Sequence, residues 1–432
     1  MKPITSKINS TGHLEIGGLD VIELAKKHGT SLYVMDVATI RSMANKYNTI
    51  KEIYPKTIIA YASKALSITA LYQVLDEEGL FFDVVSDGEL FTLLNAGVSP
   101  QKVFFHGNNK TNAEIEFALS KKIGCFMVDN LYEIERLQKI YERLDLRHKV
   151  EIMIRITPEI EAHTHDFIAT GKRDSKFGIL KEELLGAIDY IKTIPYIECR
   201  GLHVHIGSQI FDIKPFDVVV ETLLDISLDI YTRKQILMKD ISIGGGIGIR
   251  YTEADDPPDI ENFVQGIAKH LKSYLKKINY PLEPTLILEP GRSLVANAGV
   301  TLYTVGNIKN IPESKTYAIV DGGMADNPRP ITYGALYCAD IANKMNEEKN
   351  KVYTIAGKFC ESGDVLIKDS ALPKIADGDI LVVYVTGAYN YSMSSNYNRY
   401  RKPAMVFVEG GQDKLVLRRE SLSDIIRNDV KV

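Results

Sequence analysis

From about residue 38 to about residue 298 the chain alternates short apolar runs with helix-patterned segments, and it does so eight times. The runs are TIIAYAS (57–63), FFDVVS (81–86), VFFHG (103–107), CFMVD (125–129), EIMIRI (151–156), ECRGLHVHI (198–206), DISIGGG (240–246) and TLILEPG (285–291). Most are dense in Val, Ile, Leu or Phe, as parallel strands covered on both faces must be. The segments between them begin on cap-type residues or stop at glycine. DGELFTLLNAG starts on Asp87 and stops at Gly97, and ITALYQVLDEEG ends at Gly79. Strand, helix, strand in this number predicts a closed (β/α)8 TIM-like barrel over 38–298. An open doubly wound sheet takes about six such units comfortably.

Beyond about residue 298 the texture changes. TLYTVGNI, TYAIVDGG, VYTIAG, DILVVYVTG and AMVFVEGG are strand-like and separated by turn residues, which predicts a mostly β second domain. LEIGG and SLYVMD near the start share that texture, so residues 1–37 are expected to join 299–432. Apolar residues are 45% of the 432, which argues against disorder. With 52 basic and 56 acidic residues the net charge is −4, and no block of like charge marks a nucleic-acid surface. No apolar run is long enough to cross a membrane, and Met1 to Gly12 is too polar for a secretory leader. Cys125, Cys199, Cys338 and Cys360 show no paired spacing. Free thiols, and a cytoplasmic enzyme, are the expectation.

Every strand candidate carries polar residues at or just past its carboxyl end. They are Lys64; Asp83 and Ser86; His106, Asn108 and Asn109; Asp129; Arg155; His203, His205 and Ser208; Gly244 to Gly246; and Glu289 with Arg292. Any one alone reads as a solvated loop residue, but in a barrel all eight ends share one mouth, where such enzymes do chemistry. Lys64, one residue past a buried strand, could lose solvation and become a nucleophilic amine able to form a Schiff base. The glycines of GGGIG could wrap an anion such as phosphate, or merely make a tight turn. Glu289 needs a cationic or protonated partner if buried, either Arg292 or a protonated pyridine nitrogen. His203 and His205 lie two apart on one strand face. They could bind a metal, or one of them could lie flat on a cofactor ring. No further ligand set is evident at the other strand ends, so no metal is expected. An amine, a phosphate nest, a ring-stacking histidine and a carboxylate together fit pyridoxal phosphate.

The segments YASKA, FDVVSDGEL, HGNNK, SKFG, HVHIGSQ, GGGIG, EPGR, DGGMADNPRPITYGA, CESGD and GAYNYSMSSNYNR span nearly the whole chain. They resemble the barrel-fold (fold-type III) pyridoxal-phosphate decarboxylases, most closely the diaminopimelate decarboxylases. The resemblance implies decarboxylation of meso-2,6-diaminopimelate to L-lysine and CO2, the last step of lysine biosynthesis, with pyridoxal 5'-phosphate as cofactor. It implies that Lys64 carries the cofactor as a Schiff base, that His205 stacks on the ring, and that Glu289 pairs with the ring nitrogen. Asp83 would lie near the lysine. Ser208, Gly244, Gly245, Gly246, Gly291, Arg292 and Tyr389 would help hold the cofactor or its phosphate. Arg292, Arg329, Tyr333, Glu361 and Tyr389 would hold the substrate, and Cys360 would reprotonate the α-carbon. In the family Cys360 and Glu361 serve the neighbouring subunit's site, which implies a homodimer.

The late residues say less by themselves. A lone Cys360 reads first as a small buried hydrophobe. Tyr389, Tyr391, Tyr397 and Tyr400 read as β-domain packing. Arg329, between Pro328 and Pro330, has a stiffened backbone that suits a carboxylate clamp. A tail bearing an amino and a carboxyl group needs both an arginine and an acid, which Arg329 and Glu361 supply. The rival expectations are a related decarboxylase such as one for carboxynorspermidine, an alanine racemase, a dead homologue that only binds partners, and a metal-dependent barrel hydrolase.

Overall fold

The computed structural model describes residues 1–157 and 176–432. Ser175 of the SKFG segment lies outside the described residues. The chain divides into two compact units. One comprises 44–249 and 257–291, and the other 1–43, 250–256 and 292–432.

The first unit is a closed parallel barrel. Its strands are β1 (Thr57–Ala62), β2 (Phe81–Val84), β3 (Val103–Phe105), β4 (Cys125–Val128), β5 (Val150–Thr157), β6 (Ile197–His203), β7 (Asp240–Ser242) and β8 (Thr285–Leu288). Each pairs in parallel with the next, and β8 pairs with β1 to close the ring. The crossovers carry α1 (Thr69–Glu77), α2 (Asp87–Asn95), α3 (Asn112–Lys121), α4 (Leu131–Arg143), α5 (Lys181–Lys192), α6 (Lys214–Lys234) and α7 (Ile260–Lys277). Their starts follow from the cap residues. Ser86, Asn130 and Asp259 each accept a backbone N–H three residues on. Thr111 and Glu114 form a reciprocal capping box.

The strands end earlier than the apolar runs suggested. Val85–Ser86, His106–Gly107, His205 and Gly244–Gly246 have left the ladder. These carboxyl-terminal residues turn away from their neighbours to line the barrel end, so hydropathy overstates strand length there.

Ala60, Phe104, Cys125, Met127, Met153 and Ile287 pack together as a buried cluster drawn from β1, β3, β4, β5 and β8. A barrel interior filled by side chains is a core and not a pore. A bulge in β6 falls between Cys199 and Gly201. A Cβ on Gly201 would sit 1.8 Å from the Asp240 carbonyl oxygen, so only glycine lets β6 and β7 approach here.

A buried ion pair ties the ends of β3 and β4. Lys110 is 2% exposed and Glu133 is fully buried. The ammonium donates to Glu133 at 2.7 Å, to the Met127 carbonyl at 2.8 Å and to the Gly107 carbonyl at 3.0 Å. All three of its protons are thereby used. The other Glu133 oxygen accepts the Asp129 N–H at 3.1 Å.

The second unit is built on a mixed sheet. In spatial order its strands are Val365–Leu372, Lys351–Ala356, Lys315–Val320, Gly299–Ile311, Leu32–Asp36, Ala404–Glu409 and Gln412–Leu417. Ile380–Tyr384 pairs with both Gly299–Ile311 and Ala339–Ile341. The early strand Leu32–Asp36 is antiparallel to Gly299–Ile311 and parallel to Ala404–Glu409. Among the described residues no helix is long and apolar enough to cross a membrane.

Candidate active site

At the carboxyl ends of the barrel strands a group of charged side chains is almost wholly buried. Asp83 (β2 end), His106 (after β3), His203 (β6 end), Ser242 (β7 end) and Glu289 (after β8) are each 7% exposed or less. Glu289 is their hub. It accepts from Ser242 Oγ at 2.7 Å and from His203 Nε2 at 3.0 Å, and His106 Nε2 lies 3.5 Å away. Burial opposes ionisation of Glu289, but the two histidines outweigh it and hold the carboxyl well below the usual range. Asp83, 3.7 Å from His106, goes the other way: burial raises it, and His106 and Lys64 only partly offset this. Arg155 stacks over Phe177 at 4.2 Å and faces Asp129 at 3.9 Å. Asp129 in turn accepts the Gly178 N–H at 3.0 Å.

Burial pushes the His203 imidazole from its ordinary 6.5 down to about 4, despite Glu289. It is therefore a neutral donor through Nε2. A group whose folded value is depressed below its unfolded value costs nothing above pH 6.5, and stability is lost as pH falls from there toward 4. At about 1.4 kcal/mol per unit the loss reaches on the order of 3 kcal/mol. Melting temperature is thus expected to drop over this window in the wild type and to drop less in His203→Gln, which keeps a donor but takes up no proton. Equal slopes would place the proton uptake elsewhere.

The GGGIG run follows β7 directly. Gly244 and Gly246 take φ of +69° and +109°, conformations closed to most side chains. A Cβ on Gly245 would sit 2.1 Å from the Glu289 carbonyl oxygen, and one on Gly246 would sit 2.3 Å from that of Gly207. The turn is therefore bare backbone wedged between the β6 and β8 ends. His205 is tied to it: its Nδ1 accepts the Gly245 N–H at 3.3 Å, which places the imidazole proton on Nε2. Burial, and then the Lys64 charge, hold His205 well below its ordinary value, so the ring is neutral. Ser208 is exposed on the loop after it. Gly291 lets the segment after β8 pack on β1, since its Cβ would lie 3.1 Å from the Ala62 methyl.

Lys64 sits in a 3-10 turn, Ser63–Ala65, immediately after β1. Of the two settings its sequence left open, sealed from solvent or solvated at the barrel rim, the structure shows the second. Ser63 and Ala65 are fully buried, but Lys64 itself is exposed. The turn swings the long side chain off the strand end, and its charge acts on Asp83, Glu89 and His205.

The second unit holds its own constellation. Arg329 opens the short helix Arg329–Tyr333 and is 8% exposed. Its Nη1 donates to the hydroxyls of Tyr251 at 2.8 Å and Tyr337 at 3.1 Å. Arg292 Nη1 donates to the same Tyr251 oxygen at 2.6 Å. The Tyr389 ring faces both guanidiniums, at 4.8 Å from Arg292 and 5.9 Å from Arg329. Tyr389 itself is held at φ +64°. Tyr333 is 65% exposed. Cys360 and Glu361 are exposed, so Cys360 is not the buried hydrophobe its residue type suggests. The cause is Asp364 of the same CESGD run. Buried, it accepts the N–H groups of Met324 at 2.7 Å and Phe359 at 2.9 Å, and so pins the loop base beneath its displayed tip. Tyr397 and Tyr400 are more than a third exposed, which is less packed than expected.

Of the residues the sequence pointed to, the barrel brings together Asp83, His106, Arg155, His203, His205, the glycines and Glu289. Ser86 is only a helix cap. The His203–His205 pair weighed as a rival metal reading is not the pair brought together. Ligand atoms of His106, His203 and Glu289 instead lie within 4.8 Å of one another. Ser242 and Tyr251 were missed. Ser242 had a faint signal, a lone polar residue at the end of an apolar strand, and Tyr251 had none.

These residues fit pyridoxal phosphate on three counts. The glycine turn carries no side chains, so an anion can approach its bare backbone. A buried carboxylate kept ionised can hold a proton on a heterocycle. A neutral imidazole fixed by the turn can cover a ring face.

Residues 40–296 match the family of pyridoxal-dependent decarboxylases through its pyridoxal binding domain. The chain is similar to diaminopimelate decarboxylase of Bacillus subtilis (strain 168), at 46% identity over 99% of this chain and 97% of that protein. It is similar to that of Bacillus methanolicus at 47% identity, over 97% of each. Its structure superposes on the crystal structure of diaminopimelate decarboxylase from M. jannaschii in complex with L-lysine. The TM-score is 0.92 at 34% identity, over 100% of this chain and 99% of that one. With the pyridoxal-binding model matched across the barrel and curated relatives matched end to end, this chain belongs to the pyridoxal-dependent decarboxylases, within the diaminopimelate decarboxylase family.

Proposed function

We propose that the chain removes CO2 from meso-2,6-diaminopimelate and releases L-lysine, with pyridoxal 5'-phosphate held in the barrel. The observation that carries this reading is Arg329. A nearly buried guanidinium whose partners among the described residues are phenols, with no carboxylate, is suited to an anionic ligand. A diamine acid with a second carboxylate supplies that anion, whereas ornithine does not.

Bound in the barrel, the cofactor supplies an electron-withdrawing ring for the electron pair left on the α-carbon. Glu289 holds a proton at the ring nitrogen, and His203 and Ser242 keep Glu289 ionised and aimed. His205 covers one ring face. The bare Gly244 to Gly246 turn, with Ser208 and Gly291, takes the phosphate. Lys64 would tether the cofactor through its side-chain amine, with Asp83 beside it. Arg292, Arg329, Tyr333 and Tyr389 orient the substrate.

The barrel domain, 38–298, takes the cofactor, and the β domain, 1–37 with 299–432, gives substrate contacts and a dimer interface. Cys360 donates the proton to the α-carbon and Glu361 takes the distal ammonium, each in the neighbouring subunit of a homodimer. Their display at a loop tip supports this, as do the exposed apolar residues Ile331, Tyr333 and Leu336 in the same unit. Four free cysteines support a cytoplasmic setting.

The test is lysine release from meso-diaminopimelate by purified protein with and without added pyridoxal phosphate, against ornithine. Cofactor-dependent lysine formation, with ornithine turned over at least about a hundredfold less efficiently, is expected. No lysine, or a preference for ornithine, would reject the assignment.

A further inference from the structure

The phenol of Tyr251 occupies an unusual place. Two arginines donate to its one oxygen, Arg292 from 2.6 Å and Arg329 from 2.8 Å. A phenol oxygen has two acceptor sites, and guanidinium groups can only donate, so both are filled. The hydroxyl proton must then point elsewhere, and among the described residues it has no acceptor. Tyr251 is 7% exposed, so bulk water does not readily serve it. Its ring is fixed edge-on against Tyr337, 5.5 Å away, and Tyr337 also accepts from Arg329. The backbone is pinned by Asp255, which accepts the N–H groups of Tyr251 at 3.0 Å and Thr252 at 2.8 Å. Two cations and an outward O–H thus converge on one spot. Arg329, nearly buried, has phenols and no carboxylate as partners among the described residues, which favours an anionic ligand at that spot.

We propose that Tyr251 is a positioning residue for substrate specificity. It yokes Arg292 and Arg329 so that both guanidiniums, with its own hydroxyl proton, meet the carboxylate at the far end of a dicarboxylic amino acid. This rests on the decarboxylase reading and adds a determinant to it. Without the shared oxygen the two guanidiniums are no longer held to one point, and the fork geometry that fits a carboxylate is no longer set in advance. The effect belongs to binding of the tail and not to the bond that breaks. It falls on KM more than on kcat.

The test is Tyr251→Phe in the holoenzyme, which removes one oxygen and keeps the ring. KM for meso-diaminopimelate is expected to rise about tenfold or more, with kcat changed by less than about threefold. Cofactor absorbance should be unchanged. Heptanedioate, a dicarboxylate without a reacting amine, is expected to lose about tenfold as an inhibitor, while inhibition by 1,5-diaminopentane, which has no carboxylate, stays within about twofold. Tyr337→Phe, which takes an oxygen from Arg329 alone, should show a smaller change of the same kind. An unchanged KM, or equal losses for heptanedioate and 1,5-diaminopentane, would overturn the proposal, even in a variant of lowered thermal stability. Absence of lysine formation by the wild type would instead overturn the decarboxylase reading.

Discussion

Lys64→Ala is expected to give a folded protein that forms no covalent link to pyridoxal phosphate and turns over roughly a thousandfold or more below the wild type. The fold should survive because the side chain is exposed, while the packing of its turn comes from Ser63 and Ala65, both fully buried. The glycine turn, His205 and Glu289 are untouched, so the cofactor should still bind, only non-covalently and exchangeably. The measurement is visible absorbance of the purified variant before and after gel filtration, beside lysine release. A variant that keeps both its colour and its turnover would remove Lys64 from the chemistry.

Lys110→Met is expected to destabilise the chain by roughly 3–5 kcal/mol, because it strands a buried carboxylate at Glu133. The pair is sealed from water, and the ammonium also fills the carbonyls of Gly107 and Met127. The double variant Lys110→Met, Glu133→Leu removes both charges and should recover much of that loss. Denaturant midpoints of the three proteins measure it. A single variant within about 1 kcal/mol of wild type would mean that water reaches the pair. The double variant should still lower activity. The pair also holds Asp129, whose carboxylate receives Gly178 and faces Arg155.

The barrel was legible because its strands are covered on both faces, which forces near-continuous apolar runs. The starts at Thr57, Phe81, Val103, Cys125, Asp240 and Thr285 follow from that alone. The strand ends were not, because hydropathy does not register where a chain leaves a ladder to aim a side chain. Asp83, His106, His203 and Glu289 were visible as polar residues at the ends of apolar runs. What joins them was not. Ser242 and Glu289 are neighbours only once the barrel closes, and Tyr251 meets Arg329 across 78 residues of sequence. Lys64 was legible as the residue past a buried strand, but its surroundings were left open, since a single 3-10 turn decides whether a lysine after a strand is sealed or solvated. The second domain was legible as β from its turn-punctuated segments. Its spatial order was not, because long-range pairing such as Leu32–Asp36 between Gly299–Ile311 and Ala404–Glu409 leaves no local signature.

The seam between β8 and β1 has a consequence for how the molecule is made. The residues proposed to grip the cofactor from opposite sides, Lys64 and Glu289, belong to its first and last staves. A nascent chain emerging from a ribosome therefore offers no complete cradle until more than half of it has been synthesised. Vitamin loading must wait for that moment, and a prematurely terminated product lacking the eighth stave would expose apolar edges to other chains.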